Sequence, residues 1–251
     1  MRAPKDILRA PIACESGFSV PGYLTKQESI AVLGVLNLDI RSLLDREQYS
    51  DPHGLAERLG ISSGLWPLFG LLWPSGTHLA ARIAKRAVLA SETILEVGCG
   101  LALASLVGHR RGANMTASDM HPLTETFLLE NLRLNHLPPM KYRCGAWLET
   151  SPLLSPAIVA AEINVEGRFD LIIGSDLLYD RNATVALAGF IGRHAPHRSE
   201  VWIADPERGN RPAFNLLMAA QGYSRHEERL DTLMTQDQPA YKGRMLIYQR
   251  G

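Results

Sequence analysis

From residue 73 onward, short apolar runs alternate with stretches in which apolar side chains recur every three or four positions; residues 1–72 show no such order. In that first stretch apolar clusters are broken by Pro21-Gly22, Asp51-Pro52 and Gly60. One helix is expected near Leu38 to Glu47, where Ile40, Leu43 and Leu44 share a face. We therefore divide the chain into an N-terminal extension (1–72) and a main domain (73–251), the extension packing on the domain as a cover over its substrate side.

The regular part predicts a series of elements. Ser75 is placed to cap a helix carrying Leu79, Ile83 and Ala87 on one face. Thr93 to Val97 forms a buried strand that Gly98-Cys99-Gly100 stops, and a small-residue helix spans Leu101 to Arg110. A second strand, Met115 to Ser118, ends at Asp119, and Pro122 opens a helix reaching about Asn135. Strands follow at Lys141–Gly145 and Phe169–Ile173, then a helix after Asp180 and a strand at Val201–Ala204. After Pro212 to Gln221 come two strands, Tyr223–His226 and Arg244–Tyr248, with no helix between them. Alternating strands and helices imply α/β architecture: a doubly wound, mostly parallel sheet with a C-terminal antiparallel strand pair. Ligand-binding strand ends then share one edge.

Composition narrows the classes. Of 251 residues, 46% are apolar, ample for a full core, and 26 basic residues balance 26 acidic ones. A nucleic-acid partner is disfavoured, because such binders carry a basic excess. Three scattered cysteines, Cys14, Cys99 and Cys144, argue against a disulfide framework. No apolar run approaches the roughly 20 residues that span a bilayer. With no signal-peptide core before Gly17, the expected location is the cytoplasm. His194 and His197 have metal-like spacing without further ligands, so no metal is expected.

Glu96-Val97-Gly98-Cys99-Gly100 carries the first chemistry, since a strand turning through glycines into a helix brings bare N–H groups to a ligand. A dinucleotide fingerprint needs glycine or alanine where Leu103 stands; the E-x-G-x-G loop of S-adenosylmethionine enzymes fits, and a plain strand-to-helix turn is the bland alternative. Asp119 closes the second strand where a carboxylate accepts ribose hydroxyls, or caps the helix behind it. Met120, beside it, joins the cofactor-binding set with Glu96, Gly98, Gly100 and Asp119.

Gly70 to Gly76 (with the W-P-S-G segment), Ile94 to Ala102, Ser118-Asp119, Asn131 to Asn135 and Phe169 to Tyr179 together resemble seven-strand class I methyltransferases. Within that superfamily the chain is similar to the branch containing protein-lysine methyltransferases that act on chaperones and on the electron transfer flavoprotein β subunit. The likeness covers roughly residues 65–250, with Asp176-Leu177-Leu178-Tyr179 matching the branch's D-x-x-Y motif. It departs at Ala102, where many members carry glycine and a methyl tightens the methionine pocket. The resemblance implies S-adenosylmethionine as cofactor. Trp73 would lie against it, Trp147 would meet the adenine and Ser175 would join the same site. Asp176 would orient an incoming amine and Tyr179 would wall its channel. As ordinary structure, Trp73 is a core residue and Asp176 a helix cap. The implied activity is N-methylation of a lysine on a protein; a small-molecule or nucleic-acid methyltransferase stays open, as does a nicotinamide-dependent or non-catalytic binding protein. Asp205-Pro206-Glu207-Arg208 lacks the second proline and aromatic of the D-P-P-Y tetrad and is more like a D-P-x-R turn found in part of the lysine-methylating branch.

Overall fold

The computed structural model describes residues 22–145, 147, 164–233 and 240–251; Cys14, the N-terminal segment to Gly17 and Ala146 lie outside them. The main sheet has seven strands in the order β5-β4-β3-β6-β7-β9-β8. These are β3 (Thr93–Val97), β4 (Asn114–Asp119), β5 (Lys141–Cys144), β6 (Leu171–Ser175), β7 (Ser199–Asp205), β8 (Ser224–Arg229) and β9 (Arg244–Arg250). β5, β4, β3, β6 and β7 run parallel, and β9 pairs antiparallel with both β7 and β8. The fold class expected from the sequence is the one observed. The return strand slots between β7 and β8 because its residues Met245 to Tyr248 are buried, whereas β8 is polar and takes the edge.

Alternation along the strands splits the core in two. Ile94, Leu171 and Ile173 join one layer with α2 (Pro74–Lys85), α3 (Leu103–Arg110) and α4 (Thr124–Leu134). Leu95, Val97 and Ile172 join the other with α5 (Arg181–His194) and α6 (Arg211–Ala220). Two starts differ from expectation. Ser75 lies inside α2, which Pro74 opens at N1, and its hydroxyl bonds the Tyr241 hydroxyl at 2.9 Å. α4 starts at Thr124, two residues beyond Pro122.

The N-terminal stretch corrects the sequence reading most. Leu38–Leu43, expected as a helix, is a strand (β2), paired antiparallel with β1 (Thr25–Ile30). Its Leu38 and Ile40 are buried with Asp39 between them, a period-2 pattern too short to stand out beside Leu43 and Leu44. β1, Thr-Lys-Gln-Glu-Ser-Ile, has no apolar alternation to detect. A short helix α1 (Leu55–Arg58) and a 3₁₀ segment Trp66–Gly70 complete this part.

The hairpin docks on α4 through polar groups. Asn131 accepts the Arg41 N–H at 2.7 Å and donates to its carbonyl; Asn135 does the same for Asp39 at 2.9 and 2.7 Å. Four residues apart, the two amides stand on one helix face and satisfy alternate main-chain groups of β2. Below them the Arg41 guanidinium meets Glu130 at 3.1 Å, each side chain only 4% exposed. Tyr23, Trp66, Phe69 and Phe127 fill the remaining gap with edge and stacked contacts.

Candidate functional site

Chemistry-bearing residues gather at the carboxyl edge of β3, β4, β6 and β7. After Val97 the chain turns through Gly98 (φ 57°) and Gly100 (φ 52°), left-handed conformations that favour glycine. A Cβ on Gly100 would stand 2.8 Å from the Phe69 carbonyl oxygen, so a side chain is excluded there. A Cβ on Gly98 would meet Leu177 at 2.5 Å and the Trp147 ring at 3.5 Å. Leu177 thus joins the glycine loop to the segment after β6. Ala102 also adopts a left-handed conformation (φ 57°) and is fully buried with the larger core.

Asp119 ends β4 and is 9% exposed. One oxygen accepts the Gly100 N–H at 2.9 Å, the other the His121 N–H at 2.8 Å. It therefore holds the glycine loop against the β4–α4 turn, without capping α4. Burial raises its pKa, and the His121, Gly100 and Met120 amides oppose that rise. Met120 is half-buried against the larger core. His121 stacks on Phe69 at 3.7 Å and accepts the Leu123 N–H on Nδ1. Burial pushes its pKa down to about 3, so the ring stays neutral.

Glu96 points under the loop. Its carboxylate accepts the Ser105 N–H at 2.7 Å in the first turn of α3. Burial pushes its pKa up to about 7, and the charge on Asp119 adds to this. Between 4.5 and about 7 the folded state holds a proton that the unfolded chain has released, so this group's contribution to stability falls as pH rises. Glu96→Gln keeps an acceptor for Ser105 and removes the titration. From pH 5 to pH 8 the unfolding free energy from urea melts is expected to fall further for the natural protein than for the variant, by on the order of 3 kcal/mol. Parallel declines would mean that Glu96 is not desolvated.

β6 ends at Ser175, whose hydroxyl oxygen lies 3.6 Å from where a Gly76 side chain would begin, so α2 approaches the same edge. Asp176 follows with φ 63°, its N–H donating to the Ala204 carbonyl at 2.9 Å. The helix cap is Asp180, which accepts the Ala183 N–H; Asp176 instead meets the Arg208 guanidinium. Tyr179 is 44% exposed, and burial of the rest of its ring raises its pKa. Trp147, half-buried beside Gly98, accepts from Arg193 through its carbonyl. Trp73 is half-buried as the N-cap residue of α2, its indole N–H bonded to the Leu68 carbonyl at 2.9 Å. The glycine loop, Asp119, Trp147 and the β6 end are thus brought together. Sequence reasoning gave Arg208 only as the end of a D-P-x-R turn, with no role at the site, and passed over Tyr241; Arg208 meets Asp176 and Tyr241 meets Ser75 from segments far along the chain.

A separate hollow of about 510 Å³ lies by the end of α2, lined by Arg82, Lys85, Arg86, Ala87, Leu89 and Trp202. Arg82 and Arg86 there are already paired with Glu228, Glu92 and Glu200.

No family model and no curated protein matches the chain. Solved structures do. The 16S rRNA N2 methyltransferase of T. Thermophilus in complex with AdoMet and guanosine is 14% identical, covers 93% of this chain and 52% of its own, with a TM-score of 0.56. Magnesium protoporphyrin IX methyltransferase of Synechocystis PCC 6803 with bound SAM is 15% identical over 70% of this chain and 78% of its own, TM-score 0.51. The ribosomal protein L11 methylase of Lactobacillus delbrueckii subsp. bulgaricus is 20% identical over 72% and 81%, TM-score 0.50. At these identities the likeness is one of architecture: the chain has the Rossmann-like fold shared by these class I methyltransferases.

Proposed function

We propose that this protein is an S-adenosylmethionine-dependent methyltransferase that N-methylates a lysine side chain of a protein substrate. The observation that supports this reading most is the close approach of Leu177 to Gly98, because Leu177 belongs to the same short segment as Asp176 and Tyr179. Two of the structures that share this architecture hold SAM or AdoMet, which supports the cofactor.

The residues fit such a group. Gly98 and Gly100 leave bare backbone near the start of α3, with Glu96 anchoring the loop from below. Each Asp119 oxygen uses one acceptor position on a backbone amide and retains another for a ribose hydroxyl. Trp147 offers a flat face beside Gly98 for the adenine, while Met120, Trp73 and Ser175 border the rest. When bound, the cofactor supplies an electrophilic methyl group on a sulfonium centre. The chain would then have to present a neutral amine, through its lone pair, to that methyl group. Asp176 orients the amine and accepts its hydrogen bond, and the Tyr179 ring walls the channel. No protein group needs to bond covalently to the substrate.

Two measurements test this. Calorimetry is expected to show binding of S-adenosylmethionine and none of NAD, with Asp119→Ala weakening it by about 1–3 kcal/mol. Methyl-labelled S-adenosylmethionine added with the enzyme to a cell lysate is expected to label protein. Label confined to nucleic acid or small solutes would overturn the substrate class and leave the cofactor standing. Tight NAD binding without any response to S-adenosylmethionine would end the whole reading.

A further inference from the structure

The Asp205-Pro206-Glu207-Arg208 segment has no role in the reading so far, yet it lies against the centre of the site. Ser175 of β6 is paired with Ala204 of β7, so Asp176 and Asp205 leave neighbouring strand ends together. The turn that follows passes through left-handed conformations at Glu207 (φ 60°) and Gly209 (φ 86°) and brings the Arg208 Nε against Asp176 Oδ1. Ion pairs and a side-chain hydrogen bond hold the turn. Glu207 is clamped by Arg211, Lys242 and Arg244, and the Asn210 side chain donates to the Leu178 carbonyl at 2.9 Å, inside the Asp176–Tyr179 segment. Asp205, at the start of the turn, is fully buried, and neither of its carboxylate oxygens has a hydrogen-bond partner among the described residues.

The contact uses only half of Asp176. Oδ2 has no hydrogen bond among the described residues, and the side chain is 11% exposed. We propose that Arg208 is a positioning residue of the transfer site: it fixes one oxygen of Asp176, so that the other faces the incoming amine, and the Asp205–Arg208 turn delivers it there. This rests on the role given to Asp176 above. Arginine suits the task because its guanidinium is always charged and has no acceptor, so it neither takes a proton nor competes for the amine's. It also offsets the carboxylate's charge. A lone carboxylate would hold the substrate as ammonium, which has no lone pair to give; a paired one favours that form less.

The test is a two-residue cycle on the full chain. Initial rates of label transfer from saturating S-adenosylmethionine are measured in whichever lysate fraction (protein, nucleic acid or small solutes) the natural enzyme labels. Calorimetric S-adenosylmethionine affinity reports that each variant is folded. Arg208→Gln is expected to lower the rate roughly 10-fold or more, with cofactor affinity kept within about twofold, and Arg208→Lys to recover part of it. The decisive arm is the double variant. Arg208→Gln in an Asp176→Asn background is expected to cost almost nothing further, because both substitutions disable one oxygen. Multiplying losses, or a natural rate for Arg208→Gln beside a crippled Asp176→Asn, would overturn the role of Arg208 alone. A natural rate for Asp176→Asn, or no label in any fraction, would overturn the proposed function and this inference with it.

Discussion

Asp176→Asn is expected to lower methyl transfer by roughly 10²-fold or more while leaving S-adenosylmethionine binding nearly unchanged. The substitution keeps the size of the side chain and an oxygen for Arg208, but removes the charge that meets the amine. It also suits the backbone, because asparagine tolerates the left-handed conformation (φ 63°) found there. A loss of rate therefore reports on chemistry rather than on folding. Tyr179→Phe separates two roles for the neighbouring ring. A mild effect means that the ring acts as a wall, and a severe one that the hydroxyl contacts the substrate. Single-turnover rates and calorimetry on the same preparations decide between them. Normal turnover by Asp176→Asn would remove this carboxylate from the reaction.

The largest expected effect on stability is at Glu130. Glu130→Ala removes the carboxylate that meets the Arg41 guanidinium, 4% exposed, and the loss of one partner from a buried pair typically costs about 3–5 kcal/mol. Arg41 also donates to the Gln27 and Thr25 side chains, both of them neutral. Urea denaturation is expected to give the full loss, and Arg41→Met combined with Glu130→Leu to recover much of it, since an apolar pair leaves no charge behind. The effect also has a pH signature. Arg133 first, and Arg41 with it, hold the Glu130 carboxyl below its usual range. Its contribution is therefore present above the ordinary glutamate value and is lost as pH falls through the lowered one. A loss under about 1 kcal/mol at neutral pH, the size typical of exposed pairs, would show that water reaches the pair and that the hairpin is held by other contacts.

This docking also gives a physical account of the Asn131 to Asn135 segment, part of the resemblance to known methyltransferases. Its two amides behave as a short strand edge presented by a helix, so both are needed for the hairpin to settle. Residues 22–72 share the larger core through Leu38, Ile40, Leu43, Trp66 and Phe69, and Phe69 also packs beneath Gly100 through its carbonyl.

What the sequence determined by itself was whatever local rules enforce. Buried parallel strands read as apolar runs: Thr93–Val97 matched β3 residue for residue, and the strands around Asp119 and Val201 fell within β4 and β7. The glycine turn was legible because Gly98 and Gly100 occupy backbone conformations few other residues adopt. Only the tertiary structure decided the rest. β1 and β2 are strands because they pair with each other, and β2 also with two asparagines some 90 residues away, a partnership invisible in their own sequences. Ser75 was expected to cap a helix and instead bonds Tyr241, because Pro74 already opens α2 and the hydroxyl faces inward. Arg208 gains its place only when β7 is laid beside β6, which sets the turn after Asp205 against Asp176. Propensity and periodicity act over a few neighbours, whereas hydrogen-bond partners and ion pairs are chosen by the packing of distant segments.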